Sequence, residues 1–247
     1  MKKLMMIAAA ALLAGSAFAQ KPTAGSITLE TQLNFQTGTA PVNFFTPNIR
    51  ARYFLSEGMA VRVQFAFLSD KNTITVNEKA DGSGADGEIK QSNSQFVFRP
   101  GIEKHFAGTA KLAPYVGAEI NLTMAGAKEE WDQAAFDDLG GFYYYEKGTT
   151  AEVKGTWYNG NETWSAGTTI GLNLVAGADF FVWDNLYLGA ELGWGFNSFK
   201  AKDMEASITY DDGTGTMVTD KYKSTGDKMS GFAMMPSGFL RLGWMLK

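Results

Sequence analysis

The sequence predicts an all-β fold, an eight-stranded antiparallel up-and-down transmembrane β-barrel, and three observations support this prediction. Eight segments alternate apolar and polar residues, and side chains along a strand point to opposite faces with a period of two. Three connections between these segments are short turns and four are long polar loops. The first residues of the chain have the pattern of a secretory signal. We therefore expect the apolar faces of the strands to meet lipid.

The N-terminal segment predicts export. Lys2 and Lys3 precede an apolar stretch at residues 4–13, and Ala17 and Ala19 stand just before Gln20. This is the arrangement of a cleaved secretory signal, and the apolar stretch is shorter than the ~20 residues that a membrane-spanning helix needs. We therefore divide the chain into a signal peptide over residues 1–19 and one outer-membrane β-barrel domain over residues 20–247. The predicted location is the cell outer membrane.

The alternation assigns the strands and the sides of the membrane. The predicted strands cover residues 27–35, 48–55, 59–68, 95–104, 112–122, 168–181, 186–196 and 234–246. An even number of strands leaves both chain ends on one side, together with the short turns, and we expect this side to be the periplasm. The long loops then face the cell exterior, at residues 36–46, 69–94, 123–167 and 197–230.

The polar faces of the strands carry ten charges of balanced sign. Five arginines and five acidic residues are predicted to point into the lumen: Glu30, Arg50, Arg52, Arg62, Arg99, Glu103, Glu119, Asp179, Glu191 and Arg241. Because an unpaired buried charge is costly, we predict a lumen charge network that plugs the barrel. An ion or substrate path is the alternative, although eight strands leave an interior only wide enough for side chains. A soluble lipocalin-like barrel with eight strands is a further alternative. Its interior is apolar and surrounds a ligand, whereas the interior predicted here would hold these ten charges.

Two paired segments carry a resemblance to a known group of proteins. They read PGIE at residues 100–103 and PYVGAE at residues 114–119. With the signal, the eight amphipathic strands and a last strand close to the C-terminus, they resemble the OmpA/OmpX-like small outer-membrane barrel superfamily. The resemblance implies architecture more than activity. The chain ends at Leu246-Lys247, with Trp244 as the nearest aromatic residue, so a peptidoglycan-binding domain is not expected.

The sequence gives little support to catalysis. The chain has no Cys, and His105 is its only His, at the predicted periplasmic end of a strand. Nucleophilic triads and His-based metal sites therefore cannot be assembled. The acidic pair at residues 137–138 and the pair Asp211-Asp212 do not match a calcium-binding loop. We expect no enzyme activity, no cofactor, no metal site and no nucleic-acid partner, and a lipid-modifying enzyme is the weakest alternative.

The third outer loop is the richest in candidate recognition residues. Residues 128–136 are predicted to form a short helix, and residues 142–145 and 157–158 to flank a hairpin. Residues 123–166 contain three basic and eight acidic residues, a net charge of -5. Exposed aromatic rings are enriched at recognition surfaces, and the alternative is that these rings pack on one another. The candidates are Trp131, Tyr143, Tyr144, Tyr145, Trp157 and Tyr158.

These observations favour an outer-membrane barrel with a structural or surface-interaction role, such as adhesion or binding within a complex. The expected partners are outer-membrane lipid and, through the third outer loop, a protein or an extracellular ligand. A narrow pore for small solutes is the alternative. A second predicted hairpin surrounds Asp212 and Gly213 in the fourth loop.

Overall fold

The computed structural model describes residues 21–33, 48–79, 82, 84–137, 142–158 and 163–246. The predicted signal peptide, the end of the first predicted strand and the first outer loop lie outside these ranges. Within them the chain forms thirteen strands: β1 Ile27–Leu33, β2 Asn48–Ser56, β3 Met59–Asn77, β4 Asp86–His105, β5 Leu112–Asp137, β6 Phe142–Lys154, β7 Thr156–Tyr158, β8 Thr163–Ser165, β9 Gly167–Phe181, β10 Leu186–Ala201, β11 Met204–Asp211, β12 Met217–Ser224 and β13 Lys228–Leu246. Among the described residues, no helix is long and apolar enough to cross a membrane.

Eight of these strands close into a ring. The order is β1, β2, β3, β4, β5, β9, β10 and β13, and β13 pairs with β1 to complete the circuit. Every neighbouring pair is antiparallel. The sequence therefore predicted the all-β antiparallel arrangement correctly, and the eight ring strands begin within a few residues of their predicted starts or extend beyond them.

The ring strands turn their apolar side chains outward and their polar side chains inward. Exposed side chains on the outer face include Phe65, Leu172 and Trp244, which are 42%, 57% and 50% exposed. The largest fully buried side chains include Arg50 and Arg52. The described strands thus enclose charges instead of an apolar cavity, as their alternation indicates.

A second tier of sheet continues the wall above one end of the ring. The ends of β3, β4 and β5 run past the ring, and β6, β11 and β12 extend the same sheet beyond β5. β5 pairs with β9 as far as Ala125, and from Lys128 onward it pairs with β6. β10 leads into β11 and β12 leads into β13. We call the six-stranded continuation, β3-β4-β5-β6-β11-β12, the upper tier.

The predicted helix at residues 128–136 is wrong, because this segment belongs to strand β5. Glu129 lies opposite Gln91 of β4 and opposite Val153 of β6. The backbone therefore has hydrogen-bonding partners on both sides, and cross-strand pairing outweighs the local preference for a helix. Lys128 and Glu130, at the start of the predicted helix, occupy the outer face of the sheet.

One predicted hairpin is confirmed and the other is wrong. β11 and β12 pair around the turn at Asp212-Gly213, with Tyr210 opposite Val218, and Gly213 has a φ of 85° that favours glycine. Residues 142–145 instead belong to β6 and pair with β5. β7 pairs with β8, where Trp157 lies opposite Trp164. Pairing of residues 142–145 with the end of β5 thus replaces the pairing between the two aromatic clusters that the sequence suggested.

We expect that Gly243→Ala will destabilise the ring by about 1–3 kcal/mol, the usual cost of overpacking. A Cβ atom at position 243 would collide with the ring of Tyr187, which is fully buried. Gly231→Ala on the same strand is the control, because nothing lies within 4 Å of its Cβ position. Urea unfolding followed by circular dichroism measures both free energies. Equal stability of the two variants would contradict the close packing at Gly243.

Candidate functional site

Glu191 of β10 is the centre of a cluster of ion pairs in the lumen. Its carboxylate lies 2.9 Å from Arg50, 2.8 Å from Arg62 and 3.0 Å from Arg241. These arginines come from β2, β3 and β13. The hydroxyl of Tyr115 donates a further hydrogen bond to Glu191 at 2.8 Å. One carboxylate thereby joins strands from opposite sides of the ring.

Arg52 of β2 forms a second centre. Its guanidinium lies 2.6 Å from Glu30, 3.1 Å from Glu103 and 2.8 Å from Asp179. Glu30 also pairs with Arg50, which is a member of the first cluster. The two clusters are therefore a single network. The five charged side chains of this second centre are all at least nine-tenths buried: Arg50, Arg52, Glu30, Glu103 and Asp179.

The structure brings nine of the ten predicted lumen charges into this network. Arg62 connects to Glu103 at 3.0 Å and to Glu119 at 2.9 Å, which adds Glu119 to the residues already described. Arg99 is half-buried, and its Nε donates to Oδ1 of Asn121 at 3.0 Å. The alternation along each strand predicted that these residues point inward. Which charges pair with one another follows only from the register of the strands in the structure.

Aromatic rings, which the sequence did not predict as members of the network, complete it. Tyr187 donates to Glu30 at 2.7 Å, and the guanidinium of Arg52 lies 5.3 Å from the centre of its ring. His105 contacts Glu103 at 2.9 Å and lies 5.2 Å from the ring of Tyr115. A signal was present in the sequence, because YVGAE and YLGAE place tyrosine and glutamate on the same face of a strand.

The aromatic candidates of the third outer loop are partly buried in the upper tier. Trp131, Tyr143 and Tyr145 pack against a small core formed by Val76, Ile89 and Ala134. Tyr144, by contrast, is 40% exposed on the other face. Trp157 and Tyr158 lie in β7, and their side chains lie outside the described residues. Of the six candidates, Tyr144 is thus the one whose described side chain is exposed.

The buried side of this tier contains the carboxylate of Glu129. It accepts hydrogen bonds from Trp131 Nε1 at 2.5 Å, from the Tyr143 hydroxyl at 2.7 Å and from Gln91 Nε2 at 2.7 Å. Burial, together with the hydrogen bond to Glu129, raises the pKa of Tyr143. The tyrosine therefore stays protonated and keeps donating. Among the described residues, no group of three or more His, Cys, Asp or Glu side chains could hold a metal ion.

An antiparallel ring with an apolar exterior and a charged interior is the organisation of outer-membrane barrel proteins. The sequence matches the family described as "Putative OmpA-OmpF-like porin family" over residues 45–205, which is more than half of the chain. The protein belongs to this family of outer-membrane porin-like proteins. No curated protein matches the chain.

We expect Glu191→Gln to cost about 3–5 kcal/mol of unfolding free energy, because it leaves buried arginines without a counter-charge. Glu130→Gln is the control, since Glu130 pairs with Lys128 at 2.8 Å on the exposed face, where an ion pair contributes little. Urea unfolding of the folded protein in detergent measures both. Similar losses in the two variants would show that the lumen network is not an important source of stability.

Proposed function

We propose that this protein is a transmembrane barrel of the outer membrane with a structural or surface-interaction role, and that ion pairs close its lumen. The observation that carries the proposal is the network around Glu191 and Arg52, which crosses the interior between opposite strands. An eight-stranded barrel has room inside only for its own side chains. Here those side chains are bonded to one another and leave little space for a solute.

The outer face of the ring supports insertion into a membrane. On β10 the outward residues from Leu186 to Phe196 are apolar. Eleven residues at ~3.3 Å each, tilted by ~45°, span roughly 25 Å, the height of the apolar band in such barrels. The family match supports the outer membrane as the location. Cleavage of residues 1–19 as a secretory signal is part of the same proposal.

The upper tier supports a role at the cell surface. It continues the wall beyond the apolar band. This end of the ring lies opposite to the short turns, the start of β1 and the end of β13. Its core fixes the sheet through Ile89, Trp131 and Tyr143, so that the opposite face can present Phe142 and Tyr144, which are 56% and 40% exposed. A rigid sheet with exposed aromatic rings suits binding to a protein or an extracellular ligand. We propose no catalytic role and no cofactor.

A narrow pore for small solutes is the second candidate, and the porin-like family favours it. Conduction would require at least one guanidinium to leave its carboxylates. Arg62 alone contacts Glu103, Glu119 and Glu191, so its displacement would leave several buried acids unpaired. This cost favours the closed lumen.

In a planar bilayer we expect the unmodified protein to pass little or no steady current. Arg62→Ala should raise the open probability, because it removes the side chain that joins three carboxylates. Lys128→Ala in the upper tier is the control and should leave the current unchanged, since this side chain lies on the outer face. A large, stable and ion-selective conductance of the unmodified protein would replace the closed-lumen proposal with the pore.

Epitope tags test the orientation in the membrane. We expect tags inserted at Gly148 and Gly213 to bind antibody on intact cells. Gly148 lies in β6 of the upper tier, where the pairing with β5 shifts register, and Gly213 lies in the turn between β11 and β12. A tag at Gly58, in the short turn between β2 and β3, should bind antibody only after the outer membrane is opened. Binding at Gly58 on intact cells would reverse the proposed orientation.

A further inference from the structure

The outer wall formed by β9, β10 and β13 changes its chemistry in regular steps. Phe196 lies opposite Phe232, Ser198 opposite Ser230 and Lys200 opposite Lys228. Opposed residues of an antiparallel pair share a face of the sheet, and the phenylalanines are 51% and 71% exposed. Along this wall, exposed aromatic rings are followed by hydroxyl groups and then by two ammonium groups.

The two lysines at the top of this wall are an unfavourable pair. Lys200 and Lys228 are directly opposite each other and both are exposed. Like charges at opposed positions destabilise a sheet. On the other side of Lys200 lies Thr168, which adds another hydroxyl group and no negative charge. The patch therefore offers hydrogen-bond donors and positive charge without an acid at an opposed position.

Some other lysines on the outer face of the sheet have acidic partners. Lys90 pairs with Glu88, Lys154 with Glu152 and Lys223 with Glu205. In the part of the chain that the structure describes, neither Lys200 nor Lys228 has an acidic group within 4.0 Å. These three ammonium groups are thus paired, whereas the two directly opposed ammonium groups of Lys200 and Lys228 are not.

Two acids lie close to this pair in sequence. Asp227 directly precedes Lys228, but among the described residues it forms no ion pair within 4.0 Å with either lysine, and Asp203 is already engaged. Asp203 lies 3.3 Å from the Lys223 ammonium, and it accepts a hydrogen bond from the backbone N–H of Gly226 at 3.2 Å. These two contacts, with the charge of Lys200 as a smaller contribution, lower the pKa of Asp203. Neither acid is therefore ion-paired with the opposed lysines.

The height of the pair indicates what an anionic partner would be. Lys200 follows Phe196 by four residues, which is ~13 Å along a strand and roughly 9 Å in height at the usual tilt. With Phe196 at the upper edge of the apolar band, the ammonium groups stand at the level of lipid headgroups. Acyl chains would contact the aromatic rings below, and a headgroup phosphate would reach the lysines and hydroxyls above.

We infer that Lys200 and Lys228, with the hydroxyls of Thr168, Ser198 and Ser230, bind the phosphate group of a lipid in the outer leaflet. This inference rests on the proposed insertion in the outer membrane. It accounts for a like-charge pair that weakens the free wall, because the bound phosphate supplies the missing negative charge. The site selects a membrane lipid over free phosphate because the exposed rings of Phe196 and Phe232 lie beneath it.

The test uses full-length mature protein folded in a neutral detergent, with the heat-unfolding midpoint read from gel mobility. Three additions are compared at equal concentration: dioleoyl phosphatidic acid, dioleoylglycerol, which is the same lipid without phosphate, and inorganic phosphate. The variants are Lys228→Glu and the double variant Lys200→Gln, Lys228→Gln. Lys128→Gln, which alters a lysine that has acidic partners, is the control.

We expect phosphatidic acid to raise the midpoint of the unmodified protein and of Lys128→Gln by about 2–4 °C, and the other two additions to have little effect. Lys228→Glu should change both the stability in detergent and the response to lipid. Its midpoint in detergent alone should rise, since an opposite-charge pair replaces a like-charge pair, and its response to phosphatidic acid should be lost. The double glutamine variant should also lose the response.

An equal response to dioleoylglycerol or to inorganic phosphate would overturn the inference, and so would an unchanged response in Lys228→Glu. Insertion is checked separately, by protease protection of the ring strands in vesicles of phosphatidylcholine. Protection without a phosphate-dependent shift would leave the proposed function standing and remove the lipid site. Absence of protection would remove both.

Discussion

The buried ion pairs across the lumen are the constraint on which the rest of the structure depends. Removing charges from water is costly, and that cost is recovered only if each charge meets a well-placed partner. Arg50, Arg52 and Arg62 therefore have to reach carboxylates on other strands, and the ring has to be narrow enough for them to do so. Glycines such as Gly243 supply the space, since Tyr187 occupies the volume that a side chain there would fill. The need to pair the buried charges thus determines the size of the ring, the inward charges and the positions of the glycines together.

Register follows from the same requirement. A slip of one residue between two strands would turn every inward charge toward the outside and every outward apolar group into the lumen. Glu30 lies opposite Arg50 across β1 and β2, and opposite Gly243 across β1 and β13. Both neighbours suit a buried acid, one by its charge and the other by leaving room. The strands of the ring are consequently specified on both faces at once.

The alternation of the sequence predicted the ring and its faces but not the upper tier. In the ring, one face meets charges and the other faces outward with apolar groups, so a period of two is easy to detect. In the upper tier both faces of the sheet carry polar side chains. Gln91 and Glu129 lie on the inner face, and Lys90 and Glu130 lie on the outer face. The segment at residues 128–136 therefore has the local pattern of a helix, and its pairing with β4 and β6 makes it a strand. The ion-pair partners could not be predicted for a related reason. Alternation tells which side of the strand a residue faces, but only strand register tells at which height in the ring it lies.

The proposed closed lumen and the porin-like family place opposite demands on the same arginines. Freeing one buried charge costs about 3–5 kcal/mol, which would leave an opened lumen in roughly one molecule in a hundred to one in five thousand. Shared partners make this cost cooperative, because Glu191 contacts three arginines and Arg62 contacts three acids. On the closed-lumen proposal, rotation of a single side chain would therefore not be enough to open a path. Any conduction would need a coordinated exchange of partners, and the tyrosines that donate to Glu30 and Glu191 oppose that exchange.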